Sequence, residues 1–389
     1  MSRSFHRDRL FWVTATQTAI VSFYLGGFGP AQSLLRADQG TSLTVAGLHG
    51  TAMGIAAIGA GYANPHIAHR FGRSRAGWIG LAIFSTGLTM FVIFPPVVLT
   101  LPATLITGFG TSMIINNAMT SLSHHYGKAA AVAIPQANGI SSVGFISGTA
   151  LIGGIAIFFP SFWRIGLLMA IPVALALFLI ARNKDVDDHV PDEAGPQRGR
   201  LSGRFWISWI GFVACISSEF AVSFWAAALL KDRVGSTAAI STVALVGLGV
   251  GMAVGRWYSG RLLKRFTLDT QFLISIAVQF IGFVVFWLSH IMFISAIALF
   301  VIGLGVSIQF ALASIRLISF SDNRPDLAIG QTSLAAGIAI AAAPFLLGVL
   351  GDNFGISRAY IMVPILIAIS FAIVKLIPSH PEKALLNEL

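Results

Sequence analysis

Apolar residues in this chain run in blocks too long for strands and too unbroken for the amphipathic helices of a soluble protein. Residues 10–35 carry no charge, and neither do residues 76–122. Each block exceeds the roughly 20 residues that a helix needs to cross the hydrocarbon core of a bilayer. Turn and charge signals between the blocks predict twelve transmembrane helices. They fall at 10–35, 43–66, 76–96, 98–122, 128–157, 161–182, 205–230, 237–260, 268–289, 291–317, 326–350 and 357–378. The pattern predicts an all-α polytopic membrane protein.

Composition agrees with the pattern. Only 10% of the 389 residues are charged, against roughly 25% in ordinary globular domains, and mean hydropathy is +0.81. A net charge of +10 would suit a nucleic-acid binder, but the placement of the charges argues against one. Five of the 25 Lys and Arg (Arg36, Arg164, Lys231, Arg233 and Arg358) fall in loops on one side, and Arg256 and Arg316 fall inside helices. All the others lie on the side of the two termini, which the positive-inside bias makes cytoplasmic. The expected location is the cell (inner) membrane, multi-pass, with both termini in the cytoplasm. The first apolar segment is too long for a signal-peptide core and lacks a small-residue cleavage site, so it reads as a retained helix. Cys215 is the single cysteine, which leaves no disulfide framework and no cysteine metal site.

The chain repeats itself at an offset of 195 residues. Gly54 maps to Gly249, Gly87 to Gly282, Gly108 and Gly110 to Gly303 and Gly305, Gln136 to Gln331, and Gly153 to Gly348. One register held across five helices predicts two parallel six-helix bundles, at 1–182 and 205–389. A polar linker at 183–204 joins them and reads as a solvated connection. Two such repeats, related by an axis along the membrane normal, make the plan of the major facilitator fold.

A loop motif carries a resemblance to the same superfamily. His66-Ile67-Ala68-His69-Arg70-Phe71-Gly72-Arg73-Ser74-Arg75 resembles the signature between helices 2 and 3, roughly G-x-x-x-D-R-x-G-R-[RK]. Pro65 replaces its leading glycine, His69 its aspartate and Ser74 a basic residue. The second-half copy, Gly260 to Phe266, keeps the glycine and has Lys264 before Arg265 where the aspartate belongs. In the family that aspartate joins a charge latch for one gating state, and neither half here can form it in the usual way. The gating-loop candidates are His69, Arg70, Gly72, Arg73, Lys264 and Arg265. Two stretches resemble the fucose-permease-like branch: Gly108 and Gly110 through Gln136-Ala137-Asn138-Gly139, and Glu219, Trp225, Gly255-Arg256 and Gly260. That resemblance implies import of a small polar solute with protons, through a cavity lined by helices 1, 4, 7 and 10. Two patterns of drug exporters are missing: Thr104 stands where their arginine belongs, and helix 5 lacks a Gly-Pro pair.

Charges at bilayer depth are costly and mark function. Glu219, near the middle of helix 7, is the expected coupling carboxylate, binding a proton or the substrate, with a structural carboxyl as the alternative. Its repeat mate is Tyr24, which places the two opposite each other across the pseudo-axis. Gln309, Ala313 and Arg316 share one face of helix 10. From there Arg316 meets an anion, pairs with Glu219, or snorkels to headgroups. Arg256, close to a basic loop, reads as structural. Asn116 and Asn117 bond a substrate or bridge helices. Gln136 and Gln331, a repeat pair, suggest a shared role at the cavity floor or cytoplasmic gate, and Gln17 and Tyr24 share a face of helix 1. Trp225 stacks on a sugar or, the better reading, marks the outer interface.

No phosphate-cradling loop, no His-Glu-x-x-His and no Gly-x-Ser-x-Gly is present. The expected function is therefore not enzymatic. It is a monomeric secondary transporter that needs no cofactor or metal, with membrane lipids, protons and a small solute as partners. The alternatives are a proton-driven exporter of lipophilic or cationic compounds and a lipid or lysolipid flippase.

Overall fold

The computed structural model describes residues 6–181, 199–262, 265–322 and 324–379, and every regular element within them is helical. The first half runs α1 (Arg9–Phe28), α2 (Gln32–Gln39), α3 (Leu43–Phe71), α4 (Arg73–Ile93), α5 (Val97–Tyr126), α6 (Ala130–Phe158), α7 (Trp163–Leu167) and α8 (Ala170–Ala181). The second runs α9 (Gly203–Val234), α10 (Ala238–Ala244), α11 (Val246–Leu262), α12 (Leu268–Leu288), α13 (Met292–Val306), α14 (Gln309–Ser319), α15 (Pro325–Phe354), α16 (Ile356–Ala359) and α17 (Met362–Leu376). The pairs α1/α2, α7/α8, α10/α11, α13/α14 and α16/α17 are single crossings with a break, which gives six crossings per half. Eleven of the crossings are long and apolar enough to span a membrane by length and composition, and α1/α2 is the more polar twelfth. The linker expected at 183–204 lies largely outside the described residues, as does Lys264.

Local chemistry sets the helix starts. Ser42, Ser202, Thr237 and Thr267 each accept a backbone N–H of the first turn that follows, so donors that the helix leaves unpaired are satisfied. Asp8 does the same for α1 through Phe11 N–H. Burial pushes the Asp8 carboxyl up, but that bond, the Tyr126 hydroxyl at 2.7 Å and His125 at 2.5 Å together hold it below the usual carboxylate range. The entry of α1 is thereby tied to the end of α5.

Five helices expected to be continuous are broken, and two of the breaks lie beside the site. The helix predicted at 10–35 stops at Phe28 and restarts at Gln32, across Gly29 and Pro30. Proline lacks the N–H that would continue the ladder. The helix predicted at 291–317 breaks at Ser307 and Ile308, where no proline stands. Non-helical backbone at membrane depth is tolerated where a neighbour satisfies it, and here Arg256 reaches the Ser307 carbonyl.

The packing repeats as the sequence does. A β-carbon on Gly87 would strike Thr107 and Ala103, and one on Gly282 would strike Ile302 and Ala298. One on Gly110 would meet Phe84, and one on Gly305 would meet Gln279. Every partner is itself displaced by the same 195 positions, so the two bundles share one internal crossing geometry. Small residues at those crossings let the backbones touch.

The halves meet along α3 with α15 and α6 with α10/α11. Each of these antiparallel crossings has one end on the side of the termini and one on the far side. At the far side the halves are joined. Asp352 accepts the Leu43 and Thr44 N–H groups at 2.9 and 2.8 Å, Thr242 donates to Pro30 O at 3.2 Å, and Thr51 to Ala341 O at 2.9 Å. Toward the termini they part. A β-carbon on Gly54 would lie 2.4 Å from Gly337 O, whereas Gly61 and Gly330 have nothing within 4 Å. Residues seven apart share a helix face, so α3 and α15 touch at Gly54 and Gly337 and have separated two turns later. The cleft is closed at the far face and open toward the termini.

Candidate functional site

A cavity of about 140 Å³ lies between the halves, below the closed far face. Four helices build it, and each contributes residues at helical spacing, so one stripe of each faces inward. From α1 and its end come Ser22, Leu25, Phe28 and Gly29; from α6, Ser141, Ser142 and Phe145. The second half supplies Glu219, Phe220, Ser223 and Phe224 from α9, and Gly249, Met252 and Arg256 from α11. These are crossings 1, 5, 7 and 8, not the expected 1, 4, 7 and 10.

Glu219 and Arg256 are the two ionisable side chains of the lining. Among the described residues the Glu219 carboxyl has no hydrogen-bond partner and no direct ion pair, and it feels the Arg256 charge across the cavity. Arg256 donates Nη1–H to Ser142 Oγ at 2.7 Å and Nε–H to the Ser307 carbonyl at 3.4 Å. The Ser142 bond crosses between halves. The other guanidinium nitrogen, Nη2, has no protein acceptor among the described residues. Among the described residues the Ser141 hydroxyl is buried without a partner, and no side-chain bond engages Ser22 or Ser223. The rest of the wall is apolar. Phe28 and Phe224 meet edge to face across the halves at 6.2 Å and roof the cavity.

Most of the sequence candidates lie elsewhere. Tyr24 does not face Glu219: it is fully buried, stacked on Phe28 at 5.1 Å and edge-on to Phe84 at 5.5 Å. Gln17 packs beside Gly77 of α4. Asn117 donates to Asn64 Oδ1 at 2.7 Å and bridges α5 to α3, and neighbouring Asn116 is outside the cavity lining. Gln136 and Gln331 are both half-buried, but Gln136 accepts Arg7 Nε at 2.9 Å whereas Gln331 offers its backbone carbonyl to Trp209, so the repeat pair has two different settings. Trp225 is not at an interface. It is fully buried and donates to the Pro344 carbonyl at 2.8 Å.

Gln309, Ala313 and Arg316 do share a buried face of α14, but that face looks into the second half and not into the cavity. Gln309 bonds Gln279 and Cys215. Arg316 pairs with Asp269 at 2.9 Å instead of with Glu219. His69 and Arg70 are exposed, with Arg70 over the Phe71 ring. Gly72, at φ +83°, separates α3 from α4, Arg73 begins α4, and Arg265 is exposed. Of the residues singled out from sequence, the cavity therefore holds Glu219, joined by Arg256, which sequence reading set aside. A signal was available: Gly249, Met252 and Arg256 fall at i, i+3 and i+7, one stripe carrying both a glycine and the charge.

Two solved structures share the fold. A variant of the nucleoside transporter NupG superposes with a TM-score of 0.76 at 13% identity, covering 95% of this chain and 99% of its own. A bacterial homologue of the human lysosomal transporter Spinster, inward-facing and occupied, gives 0.72 at 13% identity, over 96% and 98% of the two chains. At that identity the likeness concerns fold alone. No curated protein matches the chain. With residues 14–325 matching the family profile, the chain belongs to the Major Facilitator Superfamily.

Proposed function

We propose that the protein is a secondary active transporter that moves a small polar solute across the cytoplasmic membrane by alternating access, coupled to protons through Glu219. One observation carries the reading: a carboxyl without a hydrogen-bond partner stands in the cavity between two halves closed on one side and open on the other. Ionisable groups inside membrane spans belong to ion or substrate paths by default. The positive-inside bias makes the open side cytoplasmic, so this is the inward-open state, with both termini in the cytoplasm and a monomer as the working unit.

In the outward-open state Glu219 takes a proton and the solute enters. Closure then requires the far-face bonds of Asp352, Thr242 and Thr51 to form, and both cargoes leave toward the cytoplasm. A rocking motion of one half on the other suffices, because the crossings at Gly54 and Gly337 are smooth enough to roll.

The test uses proteoliposomes with an imposed pH gradient. Wild type concentrates solute, and Glu219→Gln does not, yet it still exchanges internal for external solute. Accumulation by Glu219→Gln against a gradient would make the carboxyl structural and end this reading.

A further inference from the structure

The second charge of the cavity leads further. Resting on the proton coupling proposed above, we infer that the solute is a small monocarboxylate, bound through Arg256 and carried together with one proton. The argument is one of charge. When Glu219 is ionised, its charge and that of Arg256 cancel, and the empty cavity can close. A proton on Glu219 leaves the guanidinium unanswered in a space walled by Phe28, Phe145, Phe220 and Phe224. A closed cavity with one uncompensated charge is strongly disfavoured. A neutral solute would leave that charge in place and a cation would add to it. A monoanion cancels it. Of the four states that a proton and a monoanion can make, only the empty cavity and the cavity holding both are neutral, so only these two cross, which makes the coupling obligatory. The proton comes from the outer solution, rests on Glu219 and leaves on the cytoplasmic side.

The geometry suits such an anion. Ser142 and the Ser307 carbonyl fix the Arg256 guanidinium in place, which leaves its remaining N–H groups for a carboxylate fork. The buried Ser141 hydroxyl is without a partner. The space of about 140 Å³ matches a body no larger than a benzene ring, since a cavity of about 150 Å³ admits benzene. Among the described residues no other ionisable group faces Glu219. Cys215, one turn earlier on α9, bonds Gln309; the Tyr360 hydroxyl bonds the Ala221 carbonyl; Tyr24 of α1 turns to Phe84; and α6 and α11 present only Arg256.

Calorimetry on the purified full chain, in buffers of different ionisation enthalpy near pH 8, counts protons taken up per ligand bound. The probes are acetate, isobutyrate and benzoate, each beside its neutral amide. At least one acid binds wild type, with uptake of about one proton, and its amide binds at least tenfold more weakly. Arg256→Gln loses tenfold or more in affinity and Arg256→Lys recovers part of it, with thermal unfolding of both reporting the fold. Glu219→Gln binds the acid without proton uptake. If no acid binds, or amide and acid bind equally, or Arg256→Gln binds as wild type does, the inference is overturned and the proton coupling stands. Acid binding that needs Arg256 but takes up no proton overturns the coupling and leaves the anion contact standing.

Discussion

Two arginines of the second half stand at membrane depth, one buried and one half-buried, and their surroundings are opposite. Arg316 is 2% exposed and engaged at every guanidinium nitrogen: Nε meets Asp269 at 2.9 Å, Nη1 meets Ser208 at 3.1 Å, Nη2 meets the Ile377 carbonyl, and the plane lies over Phe320. Arg256 has two acceptors, one of them on the other half, and keeps an edge toward the cavity and Glu219. Both are charges at depth. Every nitrogen of the first has an acceptor away from the cavity, and the second keeps one nitrogen unengaged beside it. Unspent hydrogen-bonding capacity facing a cavity, rather than charge or depth, separates the group that binds from the group that braces.

The sharpest way to break this comparison is to remove a partner from the engaged centre. Asp269→Asn leaves Arg316 without its counter-ion, which costs about 3–5 kcal/mol for a buried pair. Thermal unfolding in detergent measures the loss, and the double change Asp269→Leu with Arg316→Met recovers most of it. Arg256→Gln comes next. It weakens solute binding tenfold or more, about 1.4 kcal/mol, with little change in the unfolding midpoint. Asp352 is the intermediate case, since its two N–H partners belong to the other half and are present only while the far face is closed. Asp352→Ala removes that cap, about 1 kcal/mol, and shifts spin-label distances across the far face toward separation. Gln136→Ala is the smallest. Gln136 is half-buried outside the cavity and its bond to Arg7 is a surface one, so stability moves by less than about 0.5 kcal/mol and binding not at all.

The fold was legible because its causes are periodic. Apolar blocks give crossings, charge bias gives sidedness, and the glycine register gives the repeat, whose packing partners keep the same offset. Breaks were less so. Pro30 signals one, but nothing local marks Ser307, whose freed carbonyl is met by an arginine 51 positions away. The site was legible only at Glu219. Tyr24 is its repeat mate, yet α1 is rotated so that Ser22 and Leu25 line the cavity while Tyr24 packs on Phe84. Helix rotation depends on packing against several neighbours at once, and one helix's sequence does not contain it. Arg256 was set aside for a related reason. Its nearness to a basic loop suggested a structural role, and its Ser142 partner, which places it at the cavity, lies 114 positions away.

The most direct measurement is thermal unfolding of wild type, Arg256→Gln and Asp269→Asn, with and without the wild-type stabiliser found among small carboxylates, sugars, amino acids and lipophilic cations. Ligand raises the midpoint of any variant that binds it. Arg256→Gln should unfold near the wild-type midpoint and show no ligand shift, whereas Asp269→Asn should unfold well below it and keep the shift. The opposite pattern, with Arg256→Gln unstable but still stabilised by ligand and Asp269→Asn stable but unresponsive, would contradict the division between the two centres.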